Sequence, residues 1–171
     1  MLTLIVFIPL IAGLALMLMR GLDTEKAFRI AYGSVAVAFV LSLVVLMGYD
    51  SHHGEMQFVT SLVWVPLLNV TYTVGVDGIS LWMVVLTTFL SILAINSSRS
   101  QTQNLRQFLG LMLLLEAGTL GVFVALDTVL FYVFWELMLI PTYFLIGLWG
   151  EGKRVFATTK FVIYTLVGSL L

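Results

Sequence analysis

Six stretches of this chain are almost continuously hydrophobic: Leu2–Met19, Ile30–Tyr49, Ile79–Ile95, Phe108–Leu126, Thr128–Trp149 and Val155–Leu171. Each has the roughly 17–25 residues that an α-helix needs to cross a bilayer. The pattern therefore predicts an all-α, polytopic membrane helix bundle, a single transmembrane domain over residues 1–171 with six transmembrane helices. The first stretch has no basic residue ahead of it and Arg20 behind it, the reverse of a signal peptide, and reads as a retained helix. Between the second and third stretches the period changes. Leu68, Val70, Tyr72, Val74 and Val76 alternate with Asn69, Thr71, Thr73, Gly75 and Asp77, the period of two that marks a strand. Phe58–Val65 is also rich in β-formers and Pro66-Leu67 can turn the chain, so a short outer β-hairpin is expected between helices 2 and 3.

Helices 4 and 5 form an apolar run of 42 residues interrupted only by Asp127. As one helix the run would be about 60 Å long, twice the ~30 Å hydrocarbon thickness. The chain must reverse at Asp127, whose carboxyl suits the N-cap of helix 5. The last stretch stops at Leu170-Leu171 without a polar exit, which reads as the N-terminal portion of something longer.

Composition agrees with a membrane protein: 61% of the residues are hydrophobic and 10% charged, with a mean hydropathy of +1.11. The basic residues set the orientation. Arg20, Lys26, Arg29, Arg99, Arg106, Lys153, Arg154 and Lys160 all fall at one end of the predicted bundle, and the connections at 50–78 and Asp127 carry none. Short cytoplasmic loops collect Lys and Arg, so the N-terminus is expected outside. With no cysteine, and with His52 and His53 both outside the apolar runs, thiolate-ligated clusters, disulfides and a membrane haem held by two histidines are excluded. No cofactor is expected in this chain.

Three residues are candidates for chemistry. Glu136 lies nine residues into helix 5, and a carboxyl at that depth is retained chiefly where it moves protons or ions or pairs with a buried partner. Tyr132 and Tyr143 share its face by helical spacing, and Pro141 frees the carbonyl of Leu137 beside it. The alternative is a structural carboxyl held by a hydrogen bond to a neighbouring helix. Glu116 on helix 4 is expected at similar depth across the Asp127 turn, either as a relay or as a packing contact, beside the small pair Ala117 and Gly121. Whether the carboxyls face each other is left open by the spacing. Lys160 either snorkels to the cytoplasmic interface or pairs with an acid.

Other motifs carry less. His52-His53 beside Asp50 and Glu55 lacks a second ligand pair for a metal. Gly147–Arg154 approaches a phosphate loop but has Arg154 where a hydroxyl must hold magnesium, and follows a helix where the motif needs a strand. Nucleotide binding is rejected there, and no nucleic-acid partner is expected. Asn69-Val70-Thr71 fits a glycosylation sequon that only a secretory-pathway protein would use.

Val76–Thr88 opening helix 3, Gly121–Asp127 closing helix 4 and Leu130–Gly150, with its Phe-Trp-Glu136-Leu-Met-Leu-Ile-Pro-Thr-Tyr core, together resemble the antiporter-like membrane subunits of proton-pumping NADH:quinone oxidoreductase, or respiratory complex I. The resemblance is nearest to the subunit M (chain 4) type and runs through Ala157–Tyr164, hence over the whole chain. It implies a subunit of about fourteen helices built on inverted repeats, with Glu136 matching the family's helix 5 acid and lysines of later helices as its partners. It also implies NADH, FMN, iron–sulfur clusters and quinone in partner subunits, neighbouring antiporter-like subunits and the lipid bilayer as partners, and a bacterial inner membrane as the location. A subunit of a multisubunit sodium/proton antiporter is the alternative within this fold. A non-transporting membrane scaffold is the alternative of another class.

Overall fold

In the computed structural model of the protein, the described residues are all but Arg20, His53, Gly54, Asn69, Gln101, Thr102 and Leu171, with the side chains of Leu68 and Leu170 also outside the description. The sequon asparagine, one of the two adjacent histidines and one of the eight basic residues therefore lie outside the described residues. The order is α1 (Leu2–Leu18), α2 (Thr24–Met47), β1 (Gln57–Val65), β2 (Val70–Val76), α3 (Gly78–Ser97), α4 (Leu105–Val124), α5 (Thr128–Trp149) and α6 (Arg154–Leu170), with one-turn 3-10 segments at Pro66–Leu68 and Ser98–Ser100. Six helices and one hairpin follow the hydrophobic pattern. Four of the helices are long and apolar enough to cross a membrane, and α1 is an apolar helix of 17 residues. Large apolar side chains such as Ile11, Val40, Leu90 and Ile163 are exposed on the bundle surface, as a lipid-facing surface requires.

Two helices start earlier than their apolar runs. α2 begins at Thr24, not Ile30, and α4 at Leu105, not Phe108. The extra turns carry Glu25, Lys26, Arg29 and Arg106. Apolar length measures the hydrocarbon a helix crosses, whereas the hydrogen-bond ladder continues into the polar interface with its charges solvated.

The bundle has a basic end and a hairpin end. At the basic end Arg29 and Arg99 both reach Glu25, at 3.5 and 3.8 Å. Arg106 donates through Nη1 to the carbonyls of Leu16 and Met19, each at 2.7 Å, satisfying acceptors that the end of α1 leaves free. A buried cluster of Leu16, Ala31, Val35, Ile95, Leu109 and Leu113 lies inside this end.

At the other end β1 and β2 pair antiparallel. The apolar side of the alternation turns inward: Val70, Val74 and Val76 are buried, and Val74 and Val76 join Leu2, Val45, Leu81, Leu120 and Leu130 in a second core, with Tyr72 packed against it. Two aspartates fasten the hairpin to the helices. Asp77 accepts from the amides of Ile79 and Ser80 at 3.0 and 2.7 Å while Ser80 Oγ accepts from the Asp77 amide, a reciprocal cap on α3. Asp127 caps α5 through the amides of Val129 and Leu130 at 2.9 and 3.1 Å, and its second oxygen accepts from Thr71 of β2. These amide donors, that of Ser80 foremost for Asp77 and that of Leu130 for Asp127, hold both carboxyls below the usual carboxylate range. The amide of Leu126 donates to the carbonyl of Thr73 at 2.9 Å, so the reversal between α4 and α5 is stitched to the hairpin.

Candidate functional site

Glycines set how closely the helices meet. Gly13 of α1 and Gly110 of α4 face each other: a Cβ on Gly13 would lie 2.9 Å from the carbonyl oxygen of Gly110, and one on Gly110 would lie 3.1 Å from that of Gly13. Small residues permit such backbone approach in membranes. On another side of α4, Gly118 takes Met138 and Gly121 takes the ring of Phe134, both from α5. The sequence pointed to Ala117 and Gly121 as the small pair; the glycine that joins Gly121 at the α5 contact is Gly118.

Glu136 is half-buried on α5 and faces α6. Ser169 Oγ donates to its Oε1 at 2.9 Å. Tyr132, one turn earlier on α5, meets the same serine, 3.4 Å from its carbonyl and 3.5 Å from its hydroxyl. The tyrosine therefore reaches the acid through Ser169. Two cavities flank this contact. One of about 320 Å³ is lined by Glu136, Leu139, Ile140, Tyr143, Val162 and Leu166; the other, of about 420 Å³, by Tyr132, Trp135, Tyr164, Thr165 and Ser169. Tyr143 thus shares a cavity with the carboxyl, as helical spacing suggested. Pro141 is buried inside α5, which runs on to Trp149 without interruption.

Glu116 is placed differently. Contacts between Gly118 and Met138 and between Gly121 and Phe134 fix the antiparallel register of α4 and α5. That register puts Glu116 level with about Ile140, one turn or ~6 Å nearer the basic end than Glu136. Glu116 is 5% exposed and lies beside Ser91 of α3, whereas Glu136 looks toward α6. The two carboxyls face different helices.

Lys160 is exposed on α6, its ammonium 6.0 Å from the ring of Phe156 and 5.7 Å from that of Tyr164. It precedes Ser169 by nine residues, about 13 Å along the helix, and makes no ion pair with a described acid. Among the described residues no three His, Cys, Asp or Glu side chains gather as a metal site, and the amide of His52 donates to Asp50 at 2.9 Å. The Gly147–Arg154 segment is a helix-to-helix connection in which Arg154 donates to the carbonyl of Leu148 at 2.8 Å. Ser169 and the Tyr132 contact with it were not legible in the sequence, because a hydroxyl 33 residues away leaves no local signal.

The family described as "NADH:quinone oxidoreductase/Mrp antiporter, TM" matches residues 125–171, which hold the Glu136 helix and α6. Within that class the likeness is to subunit M, or chain 4. NADH-quinone oxidoreductase subunit M of Rhodobacter capsulatus is 41% identical over the whole of this chain, which covers 34% of that protein. F(420)H(2) dehydrogenase subunit M of Methanosarcina mazei is 36% identical over 99% of the chain and 34% of its own length. A chain of respiratory complex I from Thermus thermophilus with bound NADH superposes with a TM-score of 0.83 at 31% identity, covering 99% of this chain and 34% of that one. The chain spans about a third of the length of the curated relatives it matches.

Proposed function

We propose that this chain is the N-terminal portion of a proton-translocating membrane subunit of NADH:quinone oxidoreductase, in which Glu136 binds and releases a transported proton. The observation that carries the proposal is the Glu136 carboxyl itself. It sits midway along α5, facing α6, held among the described residues by the Ser169 hydroxyl and flanked by two cavities. A purely structural carboxyl at that depth needs partners for both oxygens. Ile140, Tyr143 and Phe144 are exposed beside the groove, on a side that further helices of a longer subunit would cover. A cation arriving there from a later helix would favour the carboxylate, and its withdrawal would favour the protonated acid. That alternation moves protons without a redox centre in this chain. NADH, FMN, iron–sulfur clusters and quinone belong to partner subunits in this reading, and neighbouring antiporter-like subunits and lipid cover the bundle. Lys160, set about 13 Å along α6 from the contact, is given no part in this step.

The sodium/proton antiporter alternative is not favoured, because the relatives matched along the whole chain are oxidoreductase subunits. Copurification tests the proposal. The full-length native protein should purify with NADH-dependent quinone reductase activity. Purification with F(420)H(2)-dependent activity would replace the electron donor, and purification with no dehydrogenase would overturn the assignment.

We further propose that the basic end faces the cytoplasm of a bacterial inner membrane, leaving the hairpin and the N-terminus outside. Single cysteines at Ser61 on β1 and Gln103 before α4 should react with an impermeant reagent from opposite sides of the membrane. Reaction of both from one side refutes this orientation.

A further inference from the structure

A second carboxyl deserves the question put to Glu136, on separate grounds. Glu116 is buried on α4 with Ser91 of α3 close by, and neither of its oxygens meets a hydrogen-bond partner at full distance and angle among the described residues. The Ser34 hydroxyl, buried on α2, is likewise without a partner. Ser34, Ala38 and Ser42 recur at four-residue spacing, so they share one stripe of α2. Across from that stripe, Ser42 Oγ lies 3.1 Å from Thr88 Oγ1 of α3, and Ser91 follows Thr88 on the same face of α3. Glu116, Ser34, Ser42, Thr88 and Ser91 lie at comparable depth along three helices that pack on one another, and together they define a polar band. Its length is about 12 Å, the rise between Ser34 and Ser42.

The band is closed at both ends by apolar side chains. Ala31, Ile95 and Leu113 lie toward the basic end, and Val45, Leu81 and Val84 toward the hairpin. A carboxyl that served only to pack helices would be hydrogen bonded, since burying one without a partner costs several kcal/mol. The Glu116 carboxyl, the Ser34 hydroxyl and the nearby Ser91 hydroxyl instead supply the two to four polar partners that an internal water requires.

We infer that Glu116 is a second proton-binding carboxyl, occluded within a hydrated α2–α3–α4 interface and separate from the groove that holds Glu136. It takes up and gives back one proton through water hydrogen bonded to Ser34 and Ser91, with no bond to carbon or sulfur made or broken. The inference gives the proposed translocation path an additional site, but its test does not depend on the electron donor.

The full-length protein in its native assembly, reconstituted in liposomes, is driven by an imposed pH gradient in D2O while infrared difference spectra follow carboxyl C=O stretches. A C=O band absent from Glu116→Gln, displaced in Glu116→Asp and shifted by deuterium while the gradient is applied is the expected result. Exchange should be slower in Ser34→Ala, and the band should persist in Glu136→Gln. A Glu116-dependent band that never exchanges, or no band dependent on Glu116 in either variant, overturns the inference. If Glu116→Gln fails to assemble, the displaced and exchanging band of Glu116→Asp decides by itself. Loss of pumping in Glu136→Gln together with a non-exchanging Glu116 would sink this inference and leave the proposed function standing.

Discussion

Glu136→Gln in the full-length protein should leave the assembled complex intact while proton translocation and the quinone reduction coupled to it fall to a small fraction of normal. The amide keeps the side-chain volume, and its oxygen still accepts from Ser169, so the α5–α6 contact survives. What disappears is the ability to bind a proton reversibly. Removing a group that transfers a proton typically costs 10²–10⁴-fold on the step it serves, so a reduction of about a hundredfold in that step is expected. Glu136→Asp shortens the reach by one methylene but stays titratable, and should retain a good part of both activities. Proton-to-electron ratios measured in proteoliposomes separate the readings. A normal ratio in the Gln variant makes Glu136 a structural residue and returns the chain to the scaffold reading.

A comparably large effect on stability is expected where α1 crosses α4. Gly to Ala inside a helix ordinarily gains up to about 1 kcal/mol, and Gly33, with nothing within 4 Å of a Cβ built on it, should show that gain or no change. Gly13→Ala and Gly110→Ala should do the opposite. The added methyl on Gly13 meets the backbone carbonyl of Gly110 at 2.9 Å, with Leu114 and Leu113 at 3.1 and 3.2 Å behind it, and backbone cannot rotate away. Overpacking costs roughly 1–3 kcal/mol, more than the propensity gain. Valine at either position should deplete the protein from the membrane and lower its melting temperature in detergent well below that of Gly33→Ala. Equal melting temperatures for the three alanine variants would show that the crossing is not close-packed.

The elements were legible because their signals are local. Hydrophobic length located six helices, period two located β2, and the excess length of the 108–149 run required the reversal at Asp127. The ends of α2 and α4 were missed by several residues because Lys26, Arg29 and Arg106 end an apolar run without ending a helix. Within the candidate site, Glu136 stood out by its cost, and Tyr132 and Tyr143 by their spacing. Ser169, the isolation of Glu116 from Glu136 and the hold of Arg106 on the end of α1 were not legible. Each depends on which face of one helix meets which face of another, and the sequence spacing within a single helix does not carry that information. Glu116 and Glu136 were expected at similar depth from their distances to Asp127, yet the interlocking of Gly118 and Gly121 with Met138 and Phe134 sets them about a turn apart.

The two ends of α5 are anchored by unlike means. Asp127 ties its first turn to the hairpin, while at its last residue the Trp149 indole donates to the carbonyl of Gln103 at 2.9 Å and meets the ring of Phe108 edge-on at 5.3 Å. Between these anchors Pro141 removes one rung of the hydrogen-bond ladder, the one that would have used the carbonyl of Leu137. A beam clamped at both ends and weakened near its middle yields by bowing, not by sliding or turning on its axis. Glu136 sits on that middle span, so a displacement of the acid that left both anchors in place would be sideways, toward or away from α6. The carboxyl can then change neighbours while the ends of the helix stay where they are.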